Sequence, residues 1–434
     1  MKKYYPLFLV EFYLISTLLI FWFGPVQFRV HDPELFNLLF ILYHLSFILG
    51  YMIFTKTFSY TTTIYENKFS NLFFYTVFAF GFLGLLMTYQ NAMLSSSLIP
   101  YNIVSEVIKG LTEPGIAYSE RMMNNPYSGE GTSSSRIMNI LSLFFAFNKL
   151  LFIFIFLYFW KNLSFLQKSL SVIYCLFFLS SGIASGTNSV LFLFFIFFSL
   201  SFIVITYKKN PKLVLRLIIF FGILFLIPIG SFGFIMSERG GSFDYFVGSS
   251  PLGDISVDIE TPELNGLIDF YIYAFTWLNY YLVQGYYGFS LIIGLDWDWT
   301  FGFGNSEFLQ RQFLMLTGID ISHYTFQAKI TDVWHKTAQW HSFYGQFAND
   351  FGIIGLSVLM FIIGGLLSRV WLSVIYNNNI YGMALLPLLI IMFVFFPANN
   401  QIFGFIDTFS YFIFVVALWY LRGKKILFQS KKLS

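Results

Sequence analysis

Residues 188–207, NSVLFLFFIFFSLSFIVITY, are followed by the connector KKNPK at 208–212 and then by LVLRLIIFFGILFLIPIGSFGFIM at 213–236. Each apolar run is long enough to cross a hydrocarbon layer of about 30 Å as a helix, and the turn between them is basic. A pair of spans joined this way sets the class of the chain. Further runs of the same kind lie near 4–24, 33–54, 71–91, 140–160, 168–186, 343–367, 380–397 and 405–421, which gives ten expected crossings. The composition agrees: 57% of residues are hydrophobic and 11% charged, where soluble domains carry about 25% charged residues. The expected fold is an all-α polytopic membrane protein, one transmembrane domain over 1–434.

The basic turn at 208–212 also orients the chain, because connectors on the cytoplasmic side retain Lys and Arg. With the N-terminus inside, 16 of the 25 cations fall on the cytoplasmic side, accompanied by one acid, Glu66. Both termini are then cytoplasmic. Two long polar loops, 92–139 and 237–341, are exoplasmic, and the second holds 12 of the 22 acids. A loop of that length is usually functional or disordered, and its Trp and Tyr content argues against disorder. No inverted repeat with paired broken helices, the pointer to many secondary transporters, is visible. No basic stripe interleaved with aromatics suggests nucleic acid.

Within the second loop, residues 268–295 are apolar enough to enter the membrane, yet a single crossing would invert every later connector. They are expected to form a membrane-surface or re-entrant hairpin broken at Gly285. The first helix is too long for a signal peptide core and has no small-residue cleavage site, so it is expected to remain a span. The sole cysteine, Cys175, lies in a span and allows no intrachain disulfide.

Several polar residues stand out. His341 sits at the exoplasmic lip of a span, in Trp340-His341-Ser342-Phe343-Tyr344, with Asp350 and the pair Gly352 and Gly355 beyond it. A histidine there is neutral near pH 7 and suited to accept a hydroxyl proton; the blander reading is an interfacial hydrogen-bonding residue. Lys149, midway along the fourth span, is costly at that depth. Its expected partner is Glu11, a structural pair, with anion binding as the alternative. His44 reads as a satisfied intramembrane histidine. Asp296 and Asp298 have the spacing of a metal-binding carboxylate pair, but a capping or ligand-binding role is preferred and no metal or other cofactor is expected. The exoplasmic arginines are Arg29, Arg121, Arg136, Arg239 and Arg311. Arg239 lies at a span end beside Gly240 and Gly241, where its guanidinium fork suits phosphate oxygens; the alternative is a snorkelling arginine.

The stretch Tyr281-Leu282-Val283-Gln284-Gly285-Tyr286-Tyr287-Gly288-Phe289-Ser290, followed by Trp299-Thr300-Phe301-Gly302-Phe303-Gly304-Asn305-Ser306, is similar to the "YLxxGYYGLS … WTYGxGNS" signature of the Wzy-type polymerases, or oligosaccharide repeat unit polymerases. Phe289 stands where Leu is usual and Phe301 where Tyr is usual. The His341 segment resembles a motif shared by O-antigen polymerases and O-antigen ligases. The resemblance is dense over about 280–365 and elsewhere rests on topology. The Arg-(x)10-Gly spacing of some members is not reproduced.

This resemblance implies a ligase-like GT-C architecture in the bacterial inner membrane, with a periplasmic active site that joins undecaprenyl-diphosphate-linked oligosaccharides, both donor and acceptor. His341 and Arg239 are the implied catalytic residues. Arg239, Arg311, Arg136 and Arg121 are the diphosphate-binding candidates, and Tyr281, Tyr286, Tyr287, Trp299, Asp298 and Trp340 the glycan-binding ones. About half of these aromatics can equally belong to an interfacial belt. Membrane lipid, a chain-length regulator and a flippase are the implied partners. An O-antigen ligase, with lipid A core as acceptor, and a lipid-linked oligosaccharide transporter are the rival readings.

Overall fold

The computed structural model describes residues 2–58, 69–92, 102–123, 136–238, 255–257 and 266–432. Most of them are helical. The first ten helices are α1 (Tyr5–Phe23), α2 (Pro33–Lys56), α3 (Asn71–Ala92), α4 (Ile103–Thr112), α5 (Pro114–Met123), α6 (Arg136–Phe159), α7 (Phe165–Ala184), α8 (Ser189–Lys209), α9 (Val214–Leu224) and α10 (Leu226–Glu238). They are followed by α11 (Leu267–Ser290), α12 (Glu307–Thr317), the short α13 (Phe326–Lys329), α14 (Phe343–Ile375), α15 (Ile380–Phe395) and α16 (Ile406–Lys432). Among the described residues, eight helical segments are long and apolar enough to cross a membrane; α9 and α10 together make one of them. Two shorter apolar helices, Ile380–Phe395 and Ile406–Leu421, coincide with the last two runs marked in the sequence. The chain is a multi-pass, all-α membrane protein.

Local chemistry sets several of the helix starts. Asp32 accepts a hydrogen bond from the Leu35 amide, with Pro33 at the first helical position of α2. Ser164 and Gln167 form a reciprocal capping box on α7. Ser306, Ser342 and Asn379 cap α12, α14 and α15 through their side chains.

Contacts gather the basic connectors at one end of the bundle. Tyr51 and Trp371 donate to the carbonyls of Lys3 and Lys2, Arg369 donates to Thr57, and Lys208 donates to the last carbonyls of α14 at Val374 and Ile375. The last of these is the favoured place for a cation on a helix. The described parts of the two polar loops lie at the other end. There a two-stranded antiparallel ribbon, β1 (Val26–Phe28) and β2 (Ile255–Val257), pairs Val26 with Val257 and ties the long loop to the α1–α2 connection.

Helices α2 and α14 cross with their backbones in contact. A methyl group added at Gly364 would overlap the Phe47 carbonyl, and one at Gly50 the Phe361 carbonyl, so the two backbones touch as at small-residue crossings in membranes. Gly364→Val must force them apart. Overpacking costs about 1–3 kcal/mol, so the purified variant is expected to melt at a lower temperature than wild type and Gly364→Ala at an intermediate one. An unchanged melting temperature for the Val variant would contradict this packing.

One expected pairing is corrected. Lys149 does not meet Glu11, because α6 packs between α3 and α16: its ammonium donates to Thr88 at 2.7 Å and pairs with Asp407. Glu11 instead pairs with Nδ1 of His44 at 2.7 Å across α1 and α2. His44 is therefore only half satisfied, since its Nε2 and Glu11 Oε1 have no partner among the described residues.

Candidate functional site

No hairpin forms at 268–295. One uninterrupted helix, α11, runs from Leu267 to Ser290 straight through Gly285. The glycine is required by proximity: a side chain there would collide with the Pro397 and Ala398 carbonyls and the Ser342 amide. The first turns of α11 lie beside α10, where Tyr271 donates to the Leu226 carbonyl and Ala274 packs on Gly233. Its last turns are enclosed by the end of α1, strand β1, the start of α14 and the loop after α15. Phe21 meets Tyr286 edge-on at 5.6 Å, Phe28 meets Tyr287 at 5.6 Å, and the Thr17 and Tyr286 hydroxyls bond at 2.9 Å.

This burial corrects two of the glycan-binding candidates. Tyr286 and Tyr287 are 0% and 1% exposed, core residues with no ring face open to a ligand. The whole end of the helix is enclosed, with every residue from Val283 to Ser290 buried, so no face of it is left open. Tyr281 is half-buried, edge-on to Trp340 at 4.9 Å, and the Trp340 amide donates to Gln284. Trp299 is 58% exposed, beside the Phe301 ring.

The end of the first segment of α14 organises the loop that carries Trp299-Thr300-Phe301-Gly302-Phe303-Gly304-Asn305-Ser306. At Gly352 the backbone turns to φ 68°, ψ 166°, which interrupts the helix and requires glycine. Immediately before this break, Asp350 accepts from Thr300 Oγ1 at 2.6 Å, the Gly304 amide at 3.0 Å and Asn305 Nδ2 at 2.8 Å. The Asn349 carbonyl accepts from Trp297 and Thr300. The Asn349 side chain donates to Gly304 and Gln327 and accepts from the Phe326 amide. Asn400, in the loop after α15, donates to the Asn305 carbonyl. A carboxylate saturated by protein donors in this way is a structural clamp. Asn349, Gln327 and Asn400 were not among the sequence candidates. The one available signal for Asn400 was its place in the polar run Asn399-Asn400-Gln401 between two apolar segments.

His341 directly precedes Ser342, the cap of α14, and is buried against α11. It is 3% exposed, its Nε2 has no hydrogen-bond partner among the described residues, and its ring lies against Gly288. Burial pushes its pKa down to about 4; the positive charge of a protonated His335 would act the same way, and a hydrogen bond with the His335 backbone opposes the shift. The imidazole is therefore neutral near pH 7 and equipped to accept a hydrogen bond from a hydroxyl.

The cationic candidates are dispersed over several elements. Arg311 sits on α12, 3.6 Å from Glu307 one turn away. Arg121 lies in the last turn of α5 and Arg136 is the first residue of α6. Arg239 lies outside the described residues, directly after Glu238. Asp298 is paired with Lys329 at 2.7 Å, and the same ammonium donates to the Asp296 carbonyl. Lys329 thus ties this loop to α13 through the Asp298 carboxylate and the Asp296 backbone, not through a pair of carboxylates.

Compared with known proteins, the chain matches no family model, no curated protein and no solved structure.

Proposed function

We propose that the chain is a polysaccharide polymerase of the Wzy type in the bacterial inner membrane, with both termini cytoplasmic, a GT-C-like architecture and a periplasmic active site. The observation that carries this reading is that the third of three signature-like stretches contacts the other two, meeting one at Gly285 against Ser342 and the other through Asp350. Residues 281–290, 299–306 and 340–355 are the stretches that resemble the polymerase signatures; 340–355 packs on the first at Gly285 and Gly288 and on the second at Asp350.

In the proposed reaction the bond from the reducing-end sugar carbon to the donor's diphosphate breaks. A bond from that carbon to the acceptor hydroxyl oxygen forms, the hydroxyl proton passes to His341, and undecaprenyl diphosphate departs. Positive charge develops on the sugar ring as in other glycosyl transfers. Arg239, with Arg311 or Arg136, stabilises the leaving diphosphate. Trp299, Tyr281 and Trp340 hold the glycan.

The arginine role has a graded test. Lysine keeps the charge but loses the bidentate fork, so Arg239→Lys is expected to shorten the polymer and Arg239→Ala to shorten it further. The same order should appear in binding of undecaprenyl diphosphate to the purified protein, and activity should persist in EDTA. Chelation that stops the reaction, with metal restoring it, would overturn the arginine clamp. For the function itself, glycan mass spectrometry in a deletion strain should show surface glycan one repeat unit long. Loss of all surface glycan from the outer lipid, with full-length polymer still made on its carrier, would indicate a ligase.

A further inference from the structure

Helix α4, in the first polar loop, divides its surface into three stripes at the same helical spacing. Ile103, Val107 and Gly110 form the covered stripe, the first two half-buried and Gly110 seated on the Ile183 carbonyl at the end of α7, with no room for a side chain. Ser105, Lys109 and Thr112 form a polar stripe, and Lys109 pairs with Glu120 of α5. The stripe between them is apolar and open. Val104 is 73% exposed, Ile108 55% and Leu111 56%.

The height of the helix identifies what covers this stripe. The α4–α5 unit rests where membrane-spanning helices end: α4 is on the last turn of α7, and Pro114 and Tyr118 of α5 pack on Gly186 in the α7–α8 turn. Glu238, the last residue of α10, lines a cleft with Glu113 and Tyr118. Below this level the outward face of α7 is apolar, with Val172, Ile173 and Leu176 exposed. A helix in this position has protein on one flank, hydrocarbon beneath and water above, which matches the order covered, apolar, polar around α4.

We propose that α4 lies along the outer boundary of the bilayer, with its Val104–Ile108–Leu111 stripe immersed in lipid acyl chains and its polar stripe at the headgroups. The helix would then be a lipid-bound anchor for the first polar loop, a role that does not depend on the glycan chemistry proposed above.

Nitroxide labels at single cysteines test this in the full-length protein. They are placed by Val104→Cys, Ile108→Cys, Ser105→Cys and Thr112→Cys in a Cys175→Ala background, reconstituted in phosphatidylcholine/phosphatidylglycerol vesicles. Leu176→Cys supplies the lipid-facing standard. Collisions with oxygen should exceed those with a water-soluble nickel chelate at 104 and 108, in the same sense as at 176. The order should invert at 105 and 112. Nickel-dominated collisions at 104 and 108 would overturn the proposal by showing that water covers the stripe. Exclusion of both reagents there would overturn it by showing that a second copy or another protein does.

Discussion

Replacing His341 with alanine is expected to cut polymer formation by about 10²- to 10⁴-fold, the usual loss when a positioned general base is removed, while the protein remains inserted and abundant. Cells would then carry mainly single-unit glycans. The pH dependence sharpens the test. Because burial holds the folded-state value near 4, below the ordinary 6.5, the neutral base persists as pH falls through 6 and 5, and the acid limb of the rate should belong to other groups until about pH 4. The sign for stability follows from linkage. A depressed histidine favours the fold above its unfolded value, and that contribution is lost as pH falls from about 6.5 towards 4. His341→Ala should therefore flatten the acid side of the thermal-melting profile. A wild-type glycan ladder in the Ala variant would reduce His341 to a packing residue.

The second large effect is expected at Asp350. Removing its carboxylate leaves the Gly304 amide with no acceptor, whereas Thr300 keeps the Asn349 carbonyl and Asn305 keeps the Gly302 carbonyl. One orphaned buried donor costs about 1–3 kcal/mol, and two weakened neighbours add about 1 kcal/mol each. That is enough to free the 299–306 loop from α14 without unfolding the bundle. Asp350→Ala is expected to abolish polymerisation, with amide exchange at Gly304 rising sharply while exchange in α2 and α14 beyond Gly352 stays slow. Asp350→Asn keeps an acceptor and should be milder in both readouts. Normal exchange at Gly304 in the Ala variant would show that the clamp is dispensable.

The helical class was legible because lipid imposes one requirement on every span, an apolar run of sufficient length, and such runs are visible without knowledge of their neighbours. The fate of 268–295 was not legible. Gly285 reads as a helix breaker from local propensity, and only the approach of Pro397, Ala398 and Ser342 shows that it exists for contact. The same gap separated Tyr286 and Tyr287 from Trp299: all are aromatic, and neighbours distant in sequence decide which are covered. Lys149 was recognisably in need of a counter-charge, but whether Glu11 or Asp407 supplied it depended on helix order around α6. Asp350 was visible as a polar residue in a motif, and its three donors came from a loop about 45 positions away.

The central claim is that the site around His341 and Asp350 joins lipid-linked glycans. The most direct measurement supplies the purified protein in nanodiscs with a single undecaprenyl-diphosphate-linked repeat unit, without nucleotide sugars, and follows the products by mass spectrometry. The prediction is a series of lipid-linked glycans at whole multiples of the repeat unit, with one undecaprenyl diphosphate released for each new bond. Substrate that stays one unit long under wild-type protein known to be folded would contradict the account.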